Sequence, residues 1–334
     1  MNQLSAPTIG LALSGASARS VYYIGFLEVL KENQVHINYI SATSGSCIVA
    51  AAFACNTLPE LKELAFSMNR EFLFTIIERS KDKGGIYRMD KVEQELLKYT
   101  KGLKFEDVKP HMGFICTNIN TGEKVVLSIG DIAKAICASC AVPGLFKPIR
   151  WGNWDLVDGG LVSIVPGPEA REVGSDIVIG IHLSPRDHVF NNLEMGLKKV
   201  IDFFSSIFSF NRAKQAFNRL AIVLEKNKYF SYFLELDDSE LELPVPGMFG
   251  VLGKAIDIAI EVEKKGDPRA DNFGCDLLIE PDLPFVSTWK RLSYMHFSDM
   301  SESRQFYEYG RKAAESYLPK INELINQKQH GSQR

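Results

Sequence analysis

The sequence predicts an α/β layer protein, on three observations. Apolar runs of strand length alternate with helical patterns through the first half of the chain. Several of those runs end at small-residue turns: Ser14-Gly15, Ser44-Gly45 and Asp158-Gly159-Gly160. The length, 334 residues, suffices for one large α/β domain or two smaller ones.

Thr8 to Leu13 is a short apolar strand. Arg19 to Asn33 has helical spacing through Ile24, Leu27 and Leu30. Tyr39 to Thr43 is a second strand that runs straight into an apolar helix, Ser46 to Cys55. Thr57-Leu58-Pro59-Glu60 has the form of a capping box and starts another helix. Met112 to Thr117 and Lys124 to Leu127 read as strands about a turn at Asn120-Thr121-Gly122. Asp131 to Ala141 is a helix stopped by Pro143-Gly144. Trp154 to Val157, Ile177 to Leu183 and Asp276 to Ile279 are further strands, and Ser301 to Tyr317 is a closing helix.

Between 188 and 270 the pattern changes. Aromatic residues crowd into Phe203, Phe204, Phe208 and Phe210, then Tyr229, Phe230, Tyr232 and Phe233, and an acidic stretch follows. This reads as a helical insertion or lid within a single domain spanning 1–326, with a flexible polar tail at 327–334. An aromatic face beside charged residues suits a lipid-facing surface, and it equally suits ordinary helix core.

Composition narrows the function. A net charge of -3 gives no general field for nucleic acid, so no nucleic-acid partner is expected. No apolar run approaches the roughly 18 residues that suggest a membrane span. The N-terminus lacks the basic region of a signal peptide, so cytoplasmic residence is expected, with peripheral membrane contact left open. The six cysteines sit mostly inside apolar segments and read as core residues. No metal-ligand cluster stands out, so neither a metal nor another cofactor is expected.

Three segments carry chemistry. In Tyr39-Ile40-Ser41-Ala42-Thr43-Ser44-Gly45-Ser46-Cys47 a strand meets a small-residue helix at Ser44, the setting of a nucleophilic serine. The turn is tight, so its flanks must be small, and Ala42 and Ser46 stand where G-x-S-x-G has glycine. Taken alone, Ser44 could equally be a helix N-cap. The loop Gly10 to Ser20 runs strand, small-residue loop, helix, and its backbone N–H groups suit an oxyanion. It fits neither G-x-G-x-x-G nor G-x-x-x-x-G-K-[ST], which argues against a nucleotide. Arg19 opens the following helix, an electrostatically poor place for a cation, and so reads as fixing the loop or meeting an anionic head group. Asp158, at a strand end before Gly159 and Gly160, is a carboxylate on a turn that can be strained toward a site, or a plain Asp-Gly turn.

In this order, and with Ala138-Ser139-Cys140-Ala141-Val142-Pro143-Gly144-Leu145-Phe146-Lys147-Pro148 between elbow and acid, the chain resembles the patatin-like phospholipase family. The hairpin from Asn118 to Ser128 and the late Tyr309-Gly310 also resemble family features. The resemblance implies a three-layer α/β/α fold with a central, mostly parallel sheet. It implies a Ser–Asp dyad that cleaves fatty acyl esters of lipids through an acyl-enzyme. Ser44 would be the nucleophile and Asp158 the base, with Gly15, Ala16, Ser17 and Gly45 forming the oxyanion hole and Arg19, Gly159 and Gly160 in support. The chain departs from the family by having Ala16, Ser17, Ser20, Ala42 and Ser46 in place of glycines; Ala and Ser resist positive φ, which bears on rate more than on fold. Tyr23 stands where many members carry a histidine.

A Ser–His–Asp triad using His182, His188 or His296 would satisfy the chain order Ser, Asp, His. Against it, the elbow follows only one strand–helix unit. Two readings from other classes remain: an acyltransferase sharing the acyl-enzyme, and a catalytically weak lipid-binding homologue that keeps the fold.

Overall fold

In a computed structural model of the protein, the described residues are 6–69, 72, 75–80, 85–183, 272–281, 283 and 302–331. The expected insertion at 188–270 lies outside them, as do its aromatic residues, His188 and His296.

Ile9–Leu13 (β1), Tyr39–Thr43 (β2), His111–Asn118 (β5), Ile177–Ile181 (β10) and Leu277–Ile279 (β11) lie parallel in the order β11-β10-β1-β2-β5. Trp154–Asp158 (β9) runs antiparallel to β5, and Ile149–Trp151 (β8) antiparallel to β9. Lys124–Leu127 (β6) forms a hairpin with β5. β1, β2 and β10 are buried throughout, as strands covered on both faces must be.

Side chains alternate between the faces. Ile9, Leu11 and Leu13 of β1 join the main core with Val21–Glu32 (α1), Ser46–Ala54 (α2) and Ile132–Ser139 (α5), whereas Ala12 faces a smaller cluster with Ala170 of Gly167–Glu172 (α6). The fold is therefore a mostly parallel sheet with helices on both faces, as the sequence predicts. α2 is apolar or small all round, with Ser46, Cys47, Val49, Ala50, Ala51, Ala52 and Ala54 buried, the profile of a central helix.

Leu58–Ser67 (α3) starts where the capping box was expected, but by other means. The Thr57 hydroxyl donates to Tyr99 O at 2.6 Å, in Asp90–Thr100 (α4), instead of capping its own helix. A tertiary acceptor has won over the local one. In α5 a local cap does form, with Lys134 N donating to Asp131 Oδ1 at 2.7 Å.

The closing helix is longer than expected, Ser303–Gly331 (α7), and continues through Pro319. The tail expected to fray from Gln327 is helical as far as Gly331. α7 crosses α1 where both present glycine. A Cβ on Gly310 would lie 1.9 Å from Tyr22 O, and one on Gly25 would lie 2.2 Å from Tyr307 O. Beside this crossing, Arg311 forms a two-pronged ion pair with Glu32 at 2.9 and 2.8 Å. A second sheet of Glu78–Arg79 (β3), Gly85–Arg88 (β4) and Gly144–Phe146 (β7) has no counterpart in the sequence reading. Its strands are too short to show a period.

Candidate active site

β5 brings together two residues far apart in the chain. Thr43, the last residue of β2, pairs with Ile115, and Asp158, the last residue of β9, pairs with Cys116. Ser44 and Asp158 thus arrive at adjacent positions on one strand from its two sides. Ser44 Oγ donates to Asp158 Oδ2 at 2.7 Å, across 114 residues of sequence. The second carboxyl oxygen, Oδ1, accepts from Gly160 N at 2.8 Å. The chain at Asp158 is pinned by its own N–H, which donates to Ala141 O at 3.0 Å, and by Thr117 Oγ1, which donates to Asp158 O at 2.9 Å.

Asp158 is 8% exposed. Burial pushes its carboxyl up to about 6, against the hydrogen bonds from Ser44 and Gly160 N–H that lower it. The neighbouring thiols of Cys47, Cys116 and Cys140 are raised by burial and stay neutral. Gly159 is required sterically, since a Cβ there would lie 2.2 Å from Ile115 O.

Ser44 has φ of 57°, the left-handed conformation of a sharp strand-to-helix turn. A non-glycine residue held there costs about 1–3 kcal/mol, which its surroundings must offset. Two buried hydroxyls hold the turn. Thr43 N donates to Ser46 Oγ at 3.1 Å, and Ser44 N donates to Ser139 Oγ at 2.9 Å. Ser46 Oγ in turn contacts Leu13 O at 3.0 Å and Thr43 O at 2.8 Å. Ala42 lies within β2, and Ser46 is the first residue of α2. Neither has positive φ, so the missing glycines cost the elbow nothing in backbone strain.

The loop from Ser14 to Ser20 packs against this turn. A Cβ on Gly15 would lie 3.2 Å from Ser44 Cβ, and one on Gly45 would lie 3.1 Å from Ser17 O. In the loop only Ser17 has positive φ, 49°; Ala16 has φ of -144°. Among the described residues, no acceptor takes the N–H groups of Gly15, Ala16, Ser17 or Gly45. The expected start of helix at Arg19 is a 3₁₀ turn, Ser17–Ser20, with Arg19 half-buried near Tyr23. Tyr23 is fully buried and its hydroxyl donates to Ser14 O at 2.9 Å, which ties the loop to α1. From sequence Tyr23 has no assigned role and Ser46 is only a small flank of the turn; for Tyr23, a hydroxyl inside an apolar helical run was the available signal.

His182 lies elsewhere. Its Nδ1 is 3.1 Å from Glu280 Oε1, and its ring packs edge-on against Phe273. Among the described residues, no histidine bonds to Ser44 or Asp158. No group of residues among those described could hold a metal ion.

A family model described as patatin-like phospholipase matches residues 11–170. An uncharacterized NTE family protein of Mycobacterium bovis is 24% identical over 304 residues, covering 83% of this chain and 84% of that protein. Uncharacterized protein YqhO of Bacillus subtilis is 25% identical over 261 residues, covering 67% and 86%. Patatin-like phospholipase domain-containing protein 7 of Mus musculus is 26% identical over 192 residues, covering 55% and 14%. The loop, the elbow and the Asp-Gly-Gly turn all fall within residues 11–170, the span similar to the patatin-like phospholipase family.

Proposed function

We propose that the protein is a serine acyl-ester hydrolase acting on lipids, with Ser44 as nucleophile and Asp158 as its direct general base. Similarity to the patatin-like phospholipase family over residues 11–170 supports lipid hydrolysis. The observation that carries the finer reading is the 2.7 Å bond from Ser44 Oγ to a buried Asp158. At neutral pH Asp158 is a carboxylate, and burial makes it a stronger base than a solvated one. As Ser44 Oγ attacks the ester carbonyl, its proton passes to Asp158 Oδ2. The tetrahedral oxyanion forms beside the free N–H groups of Gly15, Ala16, Ser17 and Gly45 and the N-terminus of α2. Collapse breaks the ester C–O bond, and Asp158 returns the proton to the leaving alcohol. Water, deprotonated by the same carboxylate, then attacks the acyl carbon; the C–Oγ bond breaks, Asp158 gives the proton to Ser44 Oγ, and the fatty acid leaves.

Gly159 and Gly160 aim the carboxylate. Arg19, at the loop, is the candidate contact for an anionic head group. The substrate is a phospholipid, a lysophospholipid or another fatty acyl ester, reached by peripheral contact with a membrane; among the described residues, no helix is long and apolar enough to cross one. An acyltransferase would share every step up to the acyl-enzyme, and analysis of the acyl acceptor separates the two.

The test is labelling by a fluorophosphonate together with hydrolysis of a phospholipid and lysophospholipid panel. Wild type should label at Ser44 and release fatty acid, and Ser44→Ala should do neither. Asp158→Asn should lose about 10³-fold in turnover. Full turnover by Asp158→Asn would end the reading.

A further inference from the structure

We infer that Ser139 is a positioning residue for this site: its hydroxyl holds the backbone N–H of Ser44 and ties the nucleophile's turn to the strand that aligns the base. The inference rests on the reading of Ser44 and Asp158 above.

Ser139 is the last residue of α5 and is fully buried. Its Oγ accepts from Ser44 N at 2.9 Å and from Cys47 Sγ at 3.3 Å, and donates to Ile115 O at 2.6 Å. A serine hydroxyl has one proton to give and two lone pairs, so all three capacities are used. The group it donates to is itself part of the site. Ile115 O is the atom against which Gly159 packs, with only 2.2 Å to spare for a Cβ, and Gly159 follows Asp158. One hydroxyl therefore connects the peptide of the nucleophile to the carbonyl that bounds the turn of the base. Ser46 performs the neighbouring task at Thr43 N, so the peptides before and after Thr43 are both fixed from outside the turn. Without Ser139, the left-handed backbone at Ser44 loses one of the restraints that offset its cost, and Ser44 Oγ is free to leave Asp158. The same bond has a second consequence: with its N–H taken by Ser139, Ser44 contributes no donor to the oxyanion hole, which leaves that role to the loop and to Gly45.

The comparison is among full-length wild type, Ser139→Ala, Ser139→Cys and Ser41→Ala. Ser41 is an equally buried serine whose hydroxyl bonds Pro166 O at 2.6 Å, away from Ser44, and it controls for loss of a buried hydroxyl. Three quantities are read: the thermal midpoint, the kinetics of fluorophosphonate labelling and of p-nitrophenyl butyrate hydrolysis, and the titration of the Asp158 carboxyl by ¹³C NMR. The NMR signal is assigned by its absence in Asp158→Asn. Among the described residues, the ionisable groups around Asp158 are neutral thiols, so the NMR titration reports the Ser44 bond without a change in their charge.

In Ser139→Ala, kcat and labelling should fall about 100-fold with little change in KM. The Asp158 midpoint should move upward from about 6, because the bond that lowers it is weakened. Ser139→Cys, which keeps a weaker acceptor, should fall between wild type and Ser139→Ala. Ser41→Ala should lower the thermal midpoint and leave the Asp158 titration in place. The inference is overturned if folded Ser139→Ala, or Ser139→Cys where the alanine variant does not fold, keeps the wild-type rate and the wild-type Asp158 midpoint. Absence of wild-type labelling would instead defeat the hydrolase reading, and the Asp158 midpoint in the Ser139 variants would still decide whether Ser139 holds Ser44 against the carboxylate.

Discussion

At Asp158, burial and function pull in opposite directions. Its carboxyl ionises at about 6 in the folded chain, against an ordinary 3.8, because burial penalises the charge. Below 3.8 the group is neutral in both folded and unfolded chains and costs nothing. As pH rises from 3.8 through about 6 the folded chain comes to hold a buried carboxylate, and stability falls to a lower plateau above that window. Asp158→Asn removes the titration. The variant's thermal midpoint should therefore gain on wild type between pH 4 and pH 7, as followed by scanning calorimetry. A constant difference across that range would contradict the argument. Under the proposed mechanism activity has the reverse dependence, since only the carboxylate accepts the proton of Ser44. kcat/KM for a neutral ester should rise about tenfold per pH unit below about 6 and level off above it.

At the scale of elements, the elbow shows how a chain can do without the usual glycines. Ala42 is strand and Ser46 is helix, so both sit in backbone conformations any residue adopts. Ser46 is also occupied, since its hydroxyl satisfies Thr43 N and reaches Leu13 O. Restoring the family glycine by Ser46→Gly should therefore destabilise the protein by about 1–2 kcal/mol. Urea unfolding would measure it, and a neutral or stabilising result would refute the role given to that hydroxyl. Thr57 makes the same point at α3. Its hydroxyl caps nothing locally and instead joins α3 to α4 through Tyr99 O.

For the whole molecule, the closing helix matters as much as the sheet. α7 comes from the far end of the chain and covers α1, the helix that follows the Ser14 to Ser20 loop and carries Tyr23. The crossing is close enough that Gly310 has no room for a methyl group: a Cβ there would overlap Tyr22 O. Gly310→Ala should lower stability by about 3 kcal/mol through overpacking and forced separation of the two helices. Thermal and urea unfolding would check it. Because Tyr22 adjoins Tyr23, the same variant should also lower fluorophosphonate labelling of Ser44 in molecules that remain folded.

Much of this was legible in the order of residues. Apolar runs marked the parallel strands to within a residue or two at β1, β2 and β10, because strands buried on both faces leave a continuous local signature. Ser14-Gly15, Ser44 and Asp158-Gly159-Gly160 marked three segments that the fold brings together, since each needs small residues at a turn. The short second sheet, the length of α7 and the role of Tyr23 were not legible, for they depend on partners distant in the chain. The same is true of Ser139 and Ser46: a serine looks alike in sequence whether its hydroxyl meets water, its own helix or a strand a hundred residues away. Local composition decides which segments become strand, turn and helix. Which hydroxyl meets which amide, and the 2.7 Å between Ser44 and Asp158, follow from β5 pairing with β2 on one side and β9 on the other, a non-local arrangement that only packing sets.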